Sequence, residues 1–492
     1  MNEMDFRIEK DLLGKKRVPK DAYYGIHTVR SIENFKISRL RAQPELIRAI
    51  VFIKKACAKA NLKLRLLDYK KAKAIINACD DIINGKIDFG EFPLDIFQSG
   101  SGTSLNMNVN EVIANRAIEI LGGKRGDKTC IHPNDDVNKG QSTNNVIPSS
   151  IKIASYMLLI ELIKSVNNLK EALRRKEKEF KDVIKSARTH LQDAVPITLG
   201  QEFGAYATAI SKDIVRLRMT KESLISLGIG GNAVGTGLNT YSDFRRLIIK
   251  YLNSIVKLDF KVSKDGIETT QFLTDLAYLS SNLKLLAIDL NKICNDLRLL
   301  SSGPKTGLNE IILPAVEPGS SIMPGKINPS ICEAVNMVCY QVMGNDLTIT
   351  CASGAGQLDL NTHIPVIGYN LIESLQILNK GISRLTERCI KGIKANKKQC
   401  RYYAEHSLGL ITALSPVVGY DKAADIVKEV LKTKKTIREV IIEKGYLTEE
   451  EVRKYLDLKS LTGPNLKNKI DKSPSLKNKE NYNAEGRFKS KR

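Results

Sequence analysis

Residues 269–300 read TTQFLTDLAYLSSNLKLLAIDLNKICNDLRLL. Apolar residues recur there at helical spacing and no proline interrupts them, so the stretch predicts one helix from Thr269 to Leu300. Working outward, the same pattern predicts helices over 148–186, from Pro196 to about Ser226, over Tyr241–Leu258, Ile331–Ser353 and Pro365–Cys389. Upstream, helices are expected from Pro44 to about Arg65, from Asp68 to Ile83 and over 104–120. Residues 1–45 read as polar, turn-like sequence. These lengths exceed the ordinary globular helix of about 11 residues and predict a mainly all-α fold built on a long helical bundle. No βαβ alternation appears, which argues against a doubly wound nucleotide fold.

The chain has 492 residues, enough for two or three domains. Its net charge is +23. A lysine-rich solvated face accounts for that charge, and it would also speed capture of a small dianion. No helix-turn-helix, zinc module or aromatic-basic interleaving points to nucleic acid. The nine cysteines are scattered singly, without C-x-x-C, so no zinc or iron–sulfur site is expected. Cys57, Cys79, Cys294 and Cys339 lie in apolar helical sequence and read as buried thiols of a reducing compartment. No uninterrupted apolar run reaches membrane-spanning length, and the charged start lacks a secretory core. The expectation is a cytoplasmic protein with no membrane partner.

Beyond the opening helix lies Gly319-Ser320-Ser321-Ile322-Met323-Pro324-Gly325-Lys326-Ile327-Asn328-Pro329. It puts two hydroxyls in a glycine-flanked loop, then a cation and an amide. That suits a mobile flap closing over a carboxylate. Three more polar segments accompany it. Ser99-Gly-Ser-Gly-Thr103 precedes a helix, where backbone N–H groups can approach an anion. His132 to Asn145 includes Lys139, Ser142, Thr143 and Asn144, a neutral donor-rich set at a helix start. Its Asp135-Asp136 pair reads as turn or cap residues rather than metal ligands. Ser186 to Pro196 holds Thr189 and His190 in a dense polar run, with Arg188 bracing the turn. The glycine-rich 228–239 follows a helix with the wrong spacing for a dinucleotide loop and reads as close packing against a site segment.

Together the polar segments resemble the fumarase/aspartase superfamily over roughly residues 5–464. Arg7 to Gly14, Asp21 to Arg30, Gln141-Ser-Thr-Asn144 and Gly392 to Asn396 resemble its aspartase branch. The resemblance implies a three-domain fold: an N-terminal domain (1–141), a central long-helix bundle (142–395) and a small helical C-terminal domain (396–464). A basic tail, 465–492, follows. It also implies a homotetramer whose helical core shares active sites among subunits.

The implied reaction is reversible conversion of L-aspartate to fumarate and ammonium through an aci-carboxylate. It requires no organic cofactor, and some members add activation by a divalent cation such as Mg²⁺. Fumarate hydratase, acting on L-malate, is the alternative. By resemblance Ser320 is the base, with Ser321 beside the charged carboxylate. Thr103, Ser142 and Thr143 hold the β-carboxylate, and Asn144 and His190 lie near the amino group. Thr189, Lys326 and Asn328 hold the α-carboxylate, while Lys139, Arg188 and Glu333 support the site. The chain departs from the family pattern at Asn145, Ala187, Asn232, Lys305, Cys332 and His406.

Overall fold

The computed structural model describes residues 5–464. The chain folds as two compact units. One comprises Met1–Asn167, Ser211–Asn291 and Ala334–Ser383; the other comprises Asn168–Ile210, Lys292–Glu333 and Arg384–Arg492. The expected tail, 465–492, lies outside the described residues.

The amino-terminal region is more regular than its sequence suggested. β1 (Phe6–Asp11) and β2 (Gly14–Pro19) form an antiparallel hairpin, followed by α1 (Ile26–Asn34). The inward face of β1 is charged, which hides the usual alternation. Glu9 is buried while Ile8 is exposed. Arg7 donates to the carbonyls of Pro19, Ala22 and Tyr24 at 2.9, 2.8 and 2.6 Å and pairs with Glu9.

α2 (Pro44–Lys63), α3 (Tyr69–Ile83) and α4 (Thr103–Ile120) follow. α1 has no side-chain cap of its own. Instead Glu111 of α4 accepts from the N–H groups of Gly25, His27 and Thr28 at 2.9, 2.8 and 3.1 Å, satisfying donors that a helix start leaves open. A Cβ on Gly25 would stand 2.8 Å from that carboxylate, so only glycine lets it approach.

α5 spans Thr143–Glu179 and contains Pro148 inside it. Its start is therefore earlier than Pro148, and its end earlier than Ser186. Ile184–Thr189 instead forms β3, antiparallel to β4 (Gln192–Thr198). His190 and Leu191 at the tip have φ of 56° and 60°, the two left-handed positions that close a tight hairpin. α5 is long and apolar enough to cross a membrane by composition, but 72% of that window is buried inside the protein. α6 is Leu199–Met219.

The remaining long helices are Phe244–Val256, Thr274–Leu300, Ser330–Ser353 and Ile364–Arg388. The opening stretch breaks at extended Phe272 (ψ 129°), leaving a short turn of helix over Glu268–Gln271. Residues 395–416 contain the helix Lys397–His406, capped by Asn396 through the N–H of Gln399. Beyond it, short helices bury Leu414, Ile426, Val440, Ile441 and Val452 around one another. Thr436 with Glu439, and Thr448 with Glu451, form capping boxes at two of these helix starts. Among the described residues the only sheets are two-stranded, and the fold is mainly α-helical as expected.

Candidate active site

Thr103, Lys139, Ser142, Thr143 and Asn144 belong to the first unit. Ser101 and Gly102 both have positive φ, turning the chain so that α4 starts at Thr103. The Thr103 hydroxyl lies 3.3 Å from that of Ser101. Gln141 is buried and its amide donates to the Val137 carbonyl at 3.0 Å, closing the loop that leads into α5. Ser142 accepts the Asn144 N–H at 3.2 Å. Asp136 accepts the His132 N–H at 2.8 Å and pairs with Lys71 at 2.9 Å, the turn role expected of it.

A polar chain runs behind Thr143. Asn106 donates to the Thr143 hydroxyl at 3.0 Å and to the Asn138 side-chain oxygen at 3.3 Å. Lys54 donates to that same oxygen at 2.7 Å. Lys54 is fully buried, and burial lowers its ammonium to about 7. Sequence reading does not single out these three residues. The signal for Lys54 is a lysine set in the apolar face Ile47, Ile50, Val51, Cys57 of α2. The glycine-rich segment packs as expected: Asn144 donates to the Ala233 carbonyl at 2.7 Å and Asn145 to that of Asn232 at 2.5 Å.

Arg188, Thr189, His190, Ser320, Ser321, Lys326, Asn328 and Glu333 belong to the second unit. Thr189 and His190 are exposed at the β3–β4 tip. The base of that hairpin is fixed by Glu310, which is wholly buried. Glu310 pairs with Arg188 at 3.0 Å and Lys185 at 3.1 Å, and Lys185 also meets Glu202 at 3.1 Å. Sequence reading misses Glu310 because its partners lie far away in the chain.

The 319–329 loop is closed at its neck. Gly319 N–H donates to the Lys326 carbonyl at 2.8 Å, and the Asn328 amide donates to the Gly319 carbonyl at 2.7 Å. A Cβ on Gly319 would stand 2.5 Å from the Lys326 oxygen, so the neck requires glycine. The Ser320 hydroxyl oxygen accepts from the N–H groups of Ile322 and Met323 at 3.2 and 3.0 Å. Two donors aimed at one hydroxyl oxygen favour its anionic form. Ser320 and Lys326 line a cavity of about 460 Å³. Ile322 is 84% exposed, an apolar side chain left for something to cover. Glu333 sits in the first turn of Ser330–Ser353, its N–H bonded to the Pro329 carbonyl at 3.1 Å. Of the departures, Cys332 rests 3.7 Å from Cys389 and His406 bonds the Tyr402 carbonyl at 2.8 Å.

A family model described as Lyase matches residues 14–344, and one described as Fumarase C C-terminus matches residues 410–463. The aspartate ammonia-lyase of Escherichia coli K12 is 45% identical over 467 residues, covering 94% of this chain and 98% of that protein. The crystal structure of fumarate lyase:delta crystallin from Brucella melitensis bound to cobalt is 48% identical, with TM-score 0.89 over 94% of this chain and 100% of that one. A class II fumarase from Schistosoma mansoni is 36% identical, with TM-score 0.90 over the same 94% of this chain and 100% of its own. Motifs, helical architecture and full-length identity agree: this chain belongs to the fumarase/aspartase superfamily of lyases.

Proposed function

We propose that this chain is an aspartate ammonia-lyase, a carbon–nitrogen lyase converting L-aspartate reversibly to fumarate and ammonium. The observation that carries the reading is 45% identity to the Escherichia coli enzyme across 94% of the chain, against 36% to the Schistosoma fumarase. The Ser320 geometry supplies the chemistry. Backbone N–H groups at 3.0 and 3.2 Å stabilise negative charge on the Ser320 oxygen, which then removes the Cβ proton. The released electron pair moves into the β-carboxylate, forming an aci-carboxylate. Thr103, Ser142 and Thr143 hold it, with Ser321 beside it. The pair then returns to form the Cα–Cβ double bond as the Cα–N bond breaks. The amino group is already protonated on the substrate, so it leaves as neutral ammonia without a strong acid, and the proton taken from Cβ passes through solvent to make it ammonium.

Asn144 and His190 lie near the amino group in this reading. Thr189, Lys326 and Asn328 hold the α-carboxylate, and the exposed flap closes to exclude water. Lys139, Arg188 and Glu333 support these contacts. Three domains, 1–141, 142–395 and 396–464, are assigned on the same resemblance, as are a homotetramer with shared sites and a cytoplasmic location. Exposed Tyr278, Leu285 and Ile288 on one helix, and Met337, Tyr340 and Leu347 on another, support burial against further copies.

The Brucella relative was crystallised with cobalt. Among the described residues no group of three or more His, Cys, Asp or Glu side chains is placed to hold a metal. The steps above use this chain's own residues, and activation by Mg²⁺ is a separate question for assay. The reading is tested by following ammonium and fumarate together from L-aspartate. Equal amounts of both are expected; fumarate without ammonium would overturn it.

A further inference from the structure

A cavity of about 700 Å³ in the second unit is lined by no residue of the 319–329 loop or of the hairpin tip. That is the size of a small-molecule pocket. Its walls come from Asp182–Ile184, the helix Lys397–His406, the helices Ile437–Glu443 and Glu449–Tyr455, and the turn 456–459 that follows. Val183, Ile184, Leu410 and Leu456 give it an apolar floor.

Five cations line it: Lys397, Arg401, Arg438, Arg453 and Lys459. Three acids do too, leaving a net +2, and two of the acids are ion-paired. Glu405 pairs with Arg401 at 2.8 Å and Asp182 with Lys459 at 3.3 Å, while Asp457 accepts the Ser460 N–H at 3.0 Å. That leaves Lys397, Arg438 and Arg453, from three different helices, with no ion pair or side-chain hydrogen bond among the described residues. Elsewhere on the small helices some basic side chains are matched locally, as Lys435 with Glu443, Lys444 with Glu429 and Lys428 with Asp425. Three of the unpaired cations thus meet around one concavity. A lone helix start would not do this.

We propose that this cavity is a binding site for a small polyphosphate-bearing molecule of nucleotide size. Two arginines and a lysine suit phosphate oxygens, the arginines through paired N–H donors. A single carboxylate would leave most of that charge unmatched. The apolar floor suits the uncharged body of such a ligand. The Lys-rich sequence after Pro464 carries charge of the same sign as the cavity and does not suit it. The wall residues 182–184 lead directly into β3, so an occupant touches the base of the hairpin that carries Thr189 and His190. The cavity shares no residue with the lyase chemistry.

The test is calorimetric titration of the full chain, at two matched ionic strengths, with orthophosphate, pyrophosphate and adenosine diphosphate. Saturable pyrophosphate binding is expected, at least tenfold tighter than orthophosphate. It should weaken at least tenfold in Arg438→Ala/Arg453→Ala, with the lyase rate without ligand unchanged. Adenosine diphosphate should bind more tightly than pyrophosphate; equal affinity would overturn the role given to the apolar floor. Should the double variant fail to fold, Lys397→Gln is expected to weaken pyrophosphate at least threefold. Absence of saturable binding overturns the proposal. So does binding that these substitutions leave intact, or affinity that follows ionic strength alone.

Discussion

Replacing Lys54 by methionine tests the buried polar chain behind Thr143 and has a calculable pH signature. The Lys54 ammonium is fully buried and lowered from 10.5 to about 7 by desolvation. Below about pH 7 the lysine is protonated both folded and unfolded, and the folded state carries the full cost of burying it. Between about 7 and 10.5 the folded state holds it neutral while the unfolded chain still binds the proton. The unfolded state therefore binds more protons, and stability rises with pH across that window. Each pH unit is worth about 1.4 kcal/mol, so the whole shift amounts to about 5 kcal/mol. Methionine keeps the stem and removes the charge.

The stability advantage of Lys54→Met over the parent should thus fall by about 2 kcal/mol between about pH 7 and pH 9. The lost bond to Asn138 adds an offset that does not change with pH. Denaturant unfolding of both proteins at the two pH values reads the difference directly. A pH-independent difference would refute the reasoning, because it would mean that Lys54 titrates like an exposed lysine. Asn138 and Asn106 would also lose their anchor, so KM for L-aspartate should rise in the variant.

Glu310→Ala leaves Lys185 and Arg188 facing each other without their shared carboxylate. Breaking such a buried pair costs about 3–5 kcal/mol, which a lowered unfolding midpoint would register. KM should rise as the hairpin base loosens, and an unchanged KM would dissociate Glu310 from the site. Asn145→Asp removes the amide that donates to the Asn232 carbonyl and sets an acceptor against it in a buried place. A loss of about 1–3 kcal/mol in stability is expected from the same denaturation assay.

The helices were legible because their apolar periods run long: Ser330–Ser353 and Ile364–Arg388 fall within a residue of the boundaries read from sequence. The β1–β2 hairpin was not, because its inward face is built from Arg7, Glu9 and Asp11 and inverts the usual pattern. Pro148 misled the start of α5. It lies inside the helix, where it removes the N–H that would bond the Asn144 carbonyl, and the polar run Thr143–Asn145 already forms helix ahead of it. The Ser320 loop could be read locally, since its glycines and hydroxyls are neighbours in sequence. Lys54 and Glu310 could not. Their meaning depends on Asn138, Lys185 and Arg188, which only folding brings near.

The most direct test of the central claim is fumarate absorbance with the purified protein, run in parallel on L-aspartate and L-malate, for the parent and for Ser320→Ala. Fumarate should form from L-aspartate and not from L-malate. Loss of the base should lower that rate by about 10²–10⁴-fold, with the fold intact by circular dichroism. Turnover of L-malate in preference to L-aspartate, or an undiminished rate in Ser320→Ala, would contradict the account.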